Sequence, residues 1–224
     1  MARNLVNVSV ARTKYAVNRA GQEEGIAQPL YDRQSYPAAG SAILTFFQTP
    51  IGGIRGGAAL TEEDTNMESA GQLPAGKSFL LTGIEVYFIS GLQVFQGAKA
   101  ATNAGLKVNT FDDLAAIYGK GFLRLFINSK DYLKDGPIGI FPPNWRLAGN
   151  TVLAAHGDAA ATDDVAAYAQ FAGVPYEVSP VFIPSLMNFR VTLEFPNGVV
   201  ALPSADANSK IGIRLLGNLY RVSQ

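Results

Sequence analysis

The chain has 224 residues, which is long enough for one large domain with a substantial buried core. Its 18 basic and 18 acidic side chains cancel, which argues against a disordered polyelectrolyte and against a protein that finds nucleic acid by bulk charge. Cysteine is absent and charged residues make up only 16% of the chain. These counts exclude disulfide and thiol chemistry, and they indicate a surface that is either poorly soluble or covered by partners.

The N-terminal region is polar and weakly basic. Its first residues contain no apolar run long enough for a secretory signal, and no stretch reaches the ~20 apolar residues of a membrane-spanning helix. Residues 1–20 carry four basic side chains and no acid. We therefore predict an extended arm over residues 1–40, with a short strand at Leu5–Val10, followed by one domain over residues 41–224. The arm would become ordered on a partner through its basic residues Arg3, Arg12, Lys14 and Arg19.

β-branched and aromatic residues predict strands in the first half of the domain. Ile43–Thr49 is closed by Pro50. Phe79–Ser90 is a longer strand, in which Gly83 predicts a bulge or a close backbone approach. Its alternation directs Glu85 and Tyr87 to the face opposite Ile84, Val86 and Phe88. Between the two strands lie a flexible glycine-rich loop, Ile51–Gly57, and an acidic stretch, residues 62–68.

Two short helices are predicted in the connections, over Thr110–Tyr118 and Thr162–Gln170. Each begins with a threonine cap and has two aspartates in its first turn, where the helix dipole favours negative charge. Each is followed by a glycine, Gly119 or Gly173, that stops it.

Most of the predicted strands lie in the second half of the chain. Met187–Phe195 is the clearest, because apolar and polar residues alternate along its whole length. Pro196–Gly198 predicts a hairpin turn that leads to a partner strand. Gly217 predicts a bulge in the last strand, and prolines confine Tyr176–Ile183 to a sheet edge. The predicted strands are Phe122–Asn128, Thr151–Ala155, Tyr176–Ile183, Met187–Phe195, Val199–Leu202 and Ile211–Val222, and loops are predicted over 91–109 and 129–150.

This order of elements predicts a mainly β protein. The absence of a repeating strand–helix pattern argues against a parallel doubly wound sheet. Long connections between strands favour an antiparallel β-sandwich with Greek-key crossings. We expect a single jelly roll of about eight strands with two short helices in its loops.

Gly71–Ser78 matches the phosphate-loop pattern G-x4-G-K-S, which raises a P-loop NTPase as a remote alternative. A phosphate loop needs a buried strand before it and a helix after it. Here a polar, acidic segment precedes the motif and a strand pattern follows it, and Pro74 removes one N–H from the cradle. We therefore predict a Pro-Ala-Gly turn that leads into a strand.

The catalytic inventory is small. His156 is the only histidine, and no G-x-S-x-G elbow accompanies it, so we predict no enzyme, no catalytic residue, no cofactor and no small-molecule substrate. Carboxylates leave calcium open at Glu62–Asp64 and at Asp158 with Asp163 and Asp164, although no EF-hand pattern is present. Trp145 lies in a predicted loop, where it either caps the core or contacts a ligand or a subunit.

The layout resembles that of virion structural proteins of bacteriophages, and specifically the jelly-roll capsid protein of a tailless icosahedral phage. The resemblance lies in the basic arm, in the strands Ile43–Thr49 and Ile211–Val222, and in the Asp64–Met67 and Gly71–Pro74 segments that lead into a strand. It implies a single roll with enlarged loops over residues 91–120 and 135–175, and no catalytic residues.

The resemblance also implies function, partners and location. Sandwiches would pack side by side into homotrimers or pseudo-hexameric capsomers, together with other virion proteins, in a shell assembled in the host cytoplasm. The arm would reach a neighbouring subunit, the genome or an internal membrane. The alternative is a β-sandwich that binds a receptor or a carbohydrate through Trp145 and the loops at one end. Glycan binding that is lost in Trp145→Ala would favour this alternative.

Overall fold

A computed structural model describes residues 23–89, 113–142, 145–151, 165–171, 174–203, 205 and 208–222. A helix, α1, covers residues 113–118, and a 3-10 turn covers Ile138–Ile140. The strands are β1 (Glu23–Ala27), β2 (Leu30–Ser35), β3 (Ile43–Phe46), β4 (Ile54–Arg55), β5 (Ala58–Ala59), β6 (Lys77–Ile89), β7 (Phe122–Ile127), β8 (Lys130–Asp135), β9 (Trp145–Thr151), β10 (Val165–Phe171), β11 (Tyr176–Ile183), β12 (Phe189–Glu194) and β13 (Lys210–Val222).

The strands form two main antiparallel sheets. In the first sheet, β13 lies between β6 on one side and both β1 and β2 on the other, and β11 pairs with the far side of β6. In the second sheet the order is β3-β12-β7-β8. Two smaller pairs, β4–β5 and β9–β10, complete the described strands.

One hydrophobic core joins the two main sheets. Alternating residues of β6 and β13 meet alternating residues of β7 and β12, as the period of two along a strand requires. The buried set includes Leu81, Val86, Leu123, Leu125, Val191, Leu193, Ile211 and Ile213. The protein is therefore mainly β, with antiparallel sheets consistent with a β-sandwich.

Most of the predicted strands are confirmed. The structure places β3, β6, β7, β11, β12 and β13 within a few residues of their predicted bounds. β3 ends early because Phe47 adopts φ +67° and its N–H turns to the Asp32 carboxylate. The register between β13 and β6 shifts between Leu216 and Gly217, and the extra residue is Thr82 of β6. A bulge is therefore present beside Gly83, as predicted, whereas the bulge predicted at Gly217 lies in the partner strand and not in β13. The described part of the first predicted helix, 113–118, ends at Gly119 as expected.

The predicted strand Val199–Leu202 is wrong. The turn before it does form, because the Gly198 N–H donates to Phe195 O at 3.0 Å. However, β12 already pairs with β3 on one side and with β7 on the other. No edge of β12 is left for a hairpin partner, so the chain leaves the sheet and the Leu202 N–H donates to Ala38 O instead.

The second predicted helix is also wrong over its described part. Val165–Phe171 is the strand β10, paired along its whole length with β9, while residues 162–164 lie outside the described part. Alanines favour a helix in isolation, but a partner strand in register outweighs that weak preference. β8 and β9 likewise replace much of the irregular structure predicted over 129–150.

The predicted arm is too long at its C-terminal end. Residues 23–35 form β1 and β2, which are hydrogen-bonded to β13, and Leu30 and Tyr36 lie in the core. The sheet therefore includes residues from 23 onward, and not only from 41. The predicted strand Leu5–Val10 and the loop 91–109 lie outside the described residues.

Candidate interaction surfaces

The residues that the sequence singles out do not converge on one site. Arg3, Arg12, Lys14 and Arg19 lie outside the described residues. Trp145 is the first residue of β9 and is in register with Phe171 of β10, so it stands in a strand and not in a loop. The contacts of its indole ring are outside what the structure describes.

The phosphate-loop motif forms a turn that leads into a strand, as predicted. Lys77 is the first residue of β6, not of a helix. The Gly71 N–H donates to Phe47 O at 2.9 Å, and the Lys77 N–H donates to Pro74 O at 3.1 Å. The Lys77 ammonium is bonded to both carboxylate oxygens of Glu68, at 2.5 and 2.7 Å. Neither these N–H groups nor this side chain is directed toward a phosphate.

The β4–β5 hairpin presents an uncharged apolar surface. Ile54 pairs with Ala59, and Arg55 pairs with Ala58. Gly56 and Gly57 make the turn with φ of +61° and +86°, the left-handed values that glycine tolerates. The side chain of Ile54 is 75% exposed, the highest value after Val174 among the large exposed apolar residues of the described part.

A buried ion pair anchors this hairpin. Because side chains alternate along a strand, Arg55 points opposite to Ile54 and reaches the fully buried Asp32 of β2. Its Nη1 and Nη2 donate to Asp32 Oδ1 at 2.8 Å and Oδ2 at 2.9 Å, and Nη1 also donates to Arg33 O at 3.1 Å. The Phe47 N–H donates to Asp32 Oδ2 at 2.5 Å.

The pKa of Asp32 reflects both its burial and its partner. Burial raises the pKa above 3.8, and the hydrogen bonds from Arg55 and from the Phe47 N–H offset only part of that rise. This pair is not predictable from the sequence, because the glycines of Ile51–Gly57 indicate a flexible loop. The one available signal was a lone arginine between glycine pairs.

The acidic stretch after the hairpin covers the outer edge of β2. The Arg33 N–H donates to Asp64 O at 2.7 Å, and Tyr31 exchanges hydrogen bonds with Asn66. Burial would raise the pKa of Asp64, but hydrogen bonds from Thr61 and the charges of Lys210 and Arg33 hold it below 3.8. Glu62 is exposed, and Glu63, which pairs with Arg33 at 2.9 Å, is 81% exposed in its side chain. The loop therefore presents acid to solvent beside the hairpin.

A small apolar groove lies at the end of the second sheet where β7 begins and β12 finishes. Its volume is about 280 Å³, which is at the lower limit of small-molecule sites. Phe122 and Val199 are exposed at its rim, and Lys120 provides a cation there. Six residues supply its apolar lining: Phe122, Pro137, Phe195, Pro196, Val199 and Val200.

The outer face of the second sheet combines exposed apolar residues with charged ones. Glu194 of β12 lies in register between Ile43 of β3 and Phe122 of β7, both of which are exposed. Arg124 pairs with Glu194 at 3.3 Å, and the Arg190 guanidinium lies 4.4 Å from the centre of the Phe126 ring. Arg190 is exposed, and Lys134 and Asp131 of β8 lie in register with Arg124 and Phe126. A neighbour that covers this face would therefore have to compensate several charges.

Three further observations bear on function. Within the described part of the chain, no three metal-ligating side chains converge; Glu63 and Asp64 bind Arg33, and Asp158, Asp163 and Asp164 lie outside that part. No helix among the described residues is long and apolar enough to cross a membrane.

Comparison of the chain with family models, with curated proteins and with solved structures finds no match.

Proposed function

We propose that the sandwich is a single jelly roll. With β1 and β2 counted as one strand, and the two small pairs set aside, the main sheets contain eight strands. Their order in the two sheets is then first-eighth-third-sixth and second-seventh-fourth-fifth. First pairs with eighth, second with seventh, third with sixth and fourth with fifth. This nesting is what a long hairpin produces when it is rolled into a sandwich, and it supports the jelly roll.

We further propose that the chain is a structural protein that self-assembles into the icosahedral capsid of a tailless bacteriophage. The nested strand pairing is the observation that carries this proposal, since jelly rolls are typical of viral shells, although lectins and other proteins also use them. The exposed Ile43 and Phe122 of the second sheet support packing against neighbours. Homotrimers or pseudo-hexamers are the proposed capsomers, within virions assembled in the host cytoplasm.

The arm completes this proposal. Arg3, Arg12, Lys14 and Arg19 would contact a neighbouring subunit, the genome or an internal membrane, and they precede β1, which lies at one edge of the first sheet. No catalytic role, cofactor or small-molecule substrate belongs to the proposed function.

The oligomeric state of the purified full-length protein tests the proposal. Size-exclusion chromatography with light scattering should give trimers, hexamers or larger shells, and negative-stain imaging should show closed particles or rings. A chain that stays monomeric across a wide range of protein concentrations would contradict self-assembly. A glycan array on wild type and Trp145→Ala provides the comparison: specific binding that depends on Trp145 would favour a carbohydrate-binding module instead.

A further inference from the structure

We propose that the β4–β5 hairpin of one copy inserts into the groove at Phe122 and Val199 of the next copy. This inference rests on the proposed self-assembly and adds to it a particular contact. The hairpin is the projecting partner and the groove is the receiving partner, so the contact joins two different surfaces. Such heterologous contacts generate rings when the rotation between neighbours closes.

The hairpin has the properties of an inserting element. Ile54, Ala58 and Ala59 are exposed and uncharged, and nothing lies within 4 Å of the positions where Gly56 and Gly57 would carry a side chain. The two hydrogen bonds from Arg55, which stands next to the Gly56–Gly57 turn, fix the turn end of the hairpin to β2. A rigid apolar surface loses little conformational entropy on binding, which is the advantage of a preorganised contact.

The groove suits an apolar side chain better than a small molecule. Its volume of about 280 Å³ lies just below the usual range for ligand pockets. Phe122 is 42% exposed and Val199 is 59% exposed, so both would gain from being covered. Phe122 also closes against Gly136, where a Cβ atom would come within 2.4 Å of the ring. The rim is therefore held in place before a partner arrives.

The exposed charges beside the hairpin and at the groove are opposite in sign. Glu62 and Glu63 are exposed directly after the hairpin, whereas Lys120 is exposed at the groove. Among the described residues, neither Glu62 nor Lys120 takes part in an ion pair. When Ile54 enters the groove, the acidic loop would face Lys120 of the neighbour, and opposite charges at the rim favour encounter and register.

The two surfaces lie at opposite ends of β3. The groove is at the end where Ile43 begins this strand, in register with Glu194 and Phe122. The hairpin follows the other end, where the Ile51 N–H donates to Met67 O and the Gly71 N–H donates to Phe47 O. One copy can thus give its hairpin to one neighbour and receive the hairpin of another.

A mixing experiment tests this contact with the full-length chain. Ile54→Asp places a charge on the hairpin, and Val199→Glu places one in the groove. Each variant alone should be monomeric by light scattering. Their equimolar mixture should form a heterodimer and nothing larger, because only one intact hairpin and one intact groove remain per pair. Val174→Asp is the matched control, since Val174 is 79% exposed outside both surfaces, and it should assemble like wild type.

A charge exchange tests the register independently. Lys120→Glu and Glu62→Lys should each weaken assembly by about tenfold. This is the change in association constant expected when an ion pair at a partly exposed rim is lost. The combined variant should recover most of the loss. Glu177→Lys, on the exposed part of β11, should have no effect, and circular dichroism on every variant checks the fold.

The outcomes separate the two proposals. If wild type assembles while Ile54→Asp or Val199→Glu assembles equally well, or if their mixture stays monomeric, the hairpin contact is overturned and self-assembly stands. If the charge exchange gives no recovery, the proposed register is overturned. If wild type itself stays monomeric, the proposed function fails, and the hairpin contact fails with it.

Discussion

At the scale of single residues, the buried ion pair of Asp32 and Arg55 connects the first sheet to the segment that follows β3 of the second sheet. A buried carboxylate is costly unless a charge and hydrogen bonds compensate it. Here two guanidinium hydrogen bonds and the Phe47 N–H supply that compensation. The pair therefore joins β2 of the first sheet to the segment that leaves β3 of the second.

Arg55→Met should be strongly destabilising, because it leaves the Asp32 carboxylate buried without its cation. We expect urea unfolding at pH 7 to show a loss of about 3 kcal/mol. Arg33→Met is the matched control, since both arginine side chains are 18% exposed. Arg33 binds the exposed Glu63 and the partly exposed Asp64, so its loss should be below about 1 kcal/mol. Equal losses would contradict the special role of the buried pair.

The same variant should change the dependence of stability on pH. The folded pKa of Asp32 is already raised above 3.8, and removal of Arg55 raises it further. The folded state then binds a proton more tightly than the unfolded state, so the free energy of unfolding falls as pH rises above 3.8. The difference from wild type should be smaller at pH 4 than at pH 7. Asp32→Asn added to Arg55→Met should remove this pH dependence.

At the scale of elements, a bulge in β6, opposite Leu216 and Gly217 of β13, sets the register between these two strands, and Thr82 is its extra residue. Leu216 pairs with Gly83, whereas the next residue, Gly217, pairs with Leu81. A Cβ atom on Gly217 would come within 2.0 Å of Leu80 O. That neighbour is backbone, so it cannot move aside without breaking the pairing of β13 with β6.

Gly217→Ala should cost about 3 kcal/mol, the upper range for overpacking a rigid site. Gly25→Ala is the comparison, because Gly25 of β1 also pairs with β13, but there an added Cβ atom would lie 3.0 Å from the ring of Tyr220. A side chain can shift by a few tenths of an ångström, so we expect a loss below about 1 kcal/mol there. Thermal unfolding measures both, and a smaller effect at Gly217 would show that the bulge can relocate.

The turn before β6 yields a prediction about nucleotides. Lys77 begins a strand and binds Glu68, so it lacks the helix terminus that holds phosphates in a P-loop. We expect no ATP or GTP binding by isothermal titration calorimetry with Mg²⁺ present, and the same result for Lys77→Ala. Binding at micromolar affinity that Lys77→Ala abolishes would contradict this interpretation of the motif.

At the scale of the whole molecule, the first sheet depends on residues that the sequence assigns to the arm. β1 and β2 form one side of β13. β2 contributes Leu30 and Asp32 to the buried interior, and Tyr36 follows it directly; the Tyr36 hydroxyl donates to Val200 O at 2.5 Å. The boundary between arm and domain therefore lies before β1.

Two truncations test where that boundary lies. Removal of residues 1–22 leaves every described strand intact, so unfolding should remain cooperative while assembly weakens. Removal of residues 1–36, which the sequence alone predicts to leave a folded domain, should abolish cooperative unfolding because it deletes an entire edge of the first sheet. Circular dichroism melts and light scattering measure both properties. Unchanged assembly of the shorter truncation would contradict the role of Arg3, Arg12, Lys14 and Arg19.

The sequence predicted the strands in which apolar and polar residues alternate. In β12 and β13, apolar residues alternate with polar ones because one face of each strand is buried and the other is not. β8 and β10 lack a clear alternation. A local preference for turn or helix was the only signal there, and pairing with β7 and β9 outweighed it.

The candidate surfaces were the least predictable part. The sequence predicts that Ile54 and Arg55 belong to a glycine-rich loop. Only the structure shows that Arg55 binds Asp32, which is 23 residues away along the chain. The groove joins residues near 120, 136 and 197, which no local pattern connects. Contacts between residues distant along the chain depend on how the sheets pack. The periodicity of apolar residues along each strand does not predict that packing.

By itself, the sequence determined that this chain is a mainly β protein without thiol chemistry, because alternation along a strand and the absence of cysteine are local properties. Only the tertiary structure decided which strands are neighbours. Val199–Leu202 cannot pair with β12, because β3 and β7 already occupy both edges of β12. Residues 23–35, which the sequence assigns to the arm, belong to the first sheet. Each strand has two edges, and their hydrogen bonds are satisfied by whichever segments the global packing brings there.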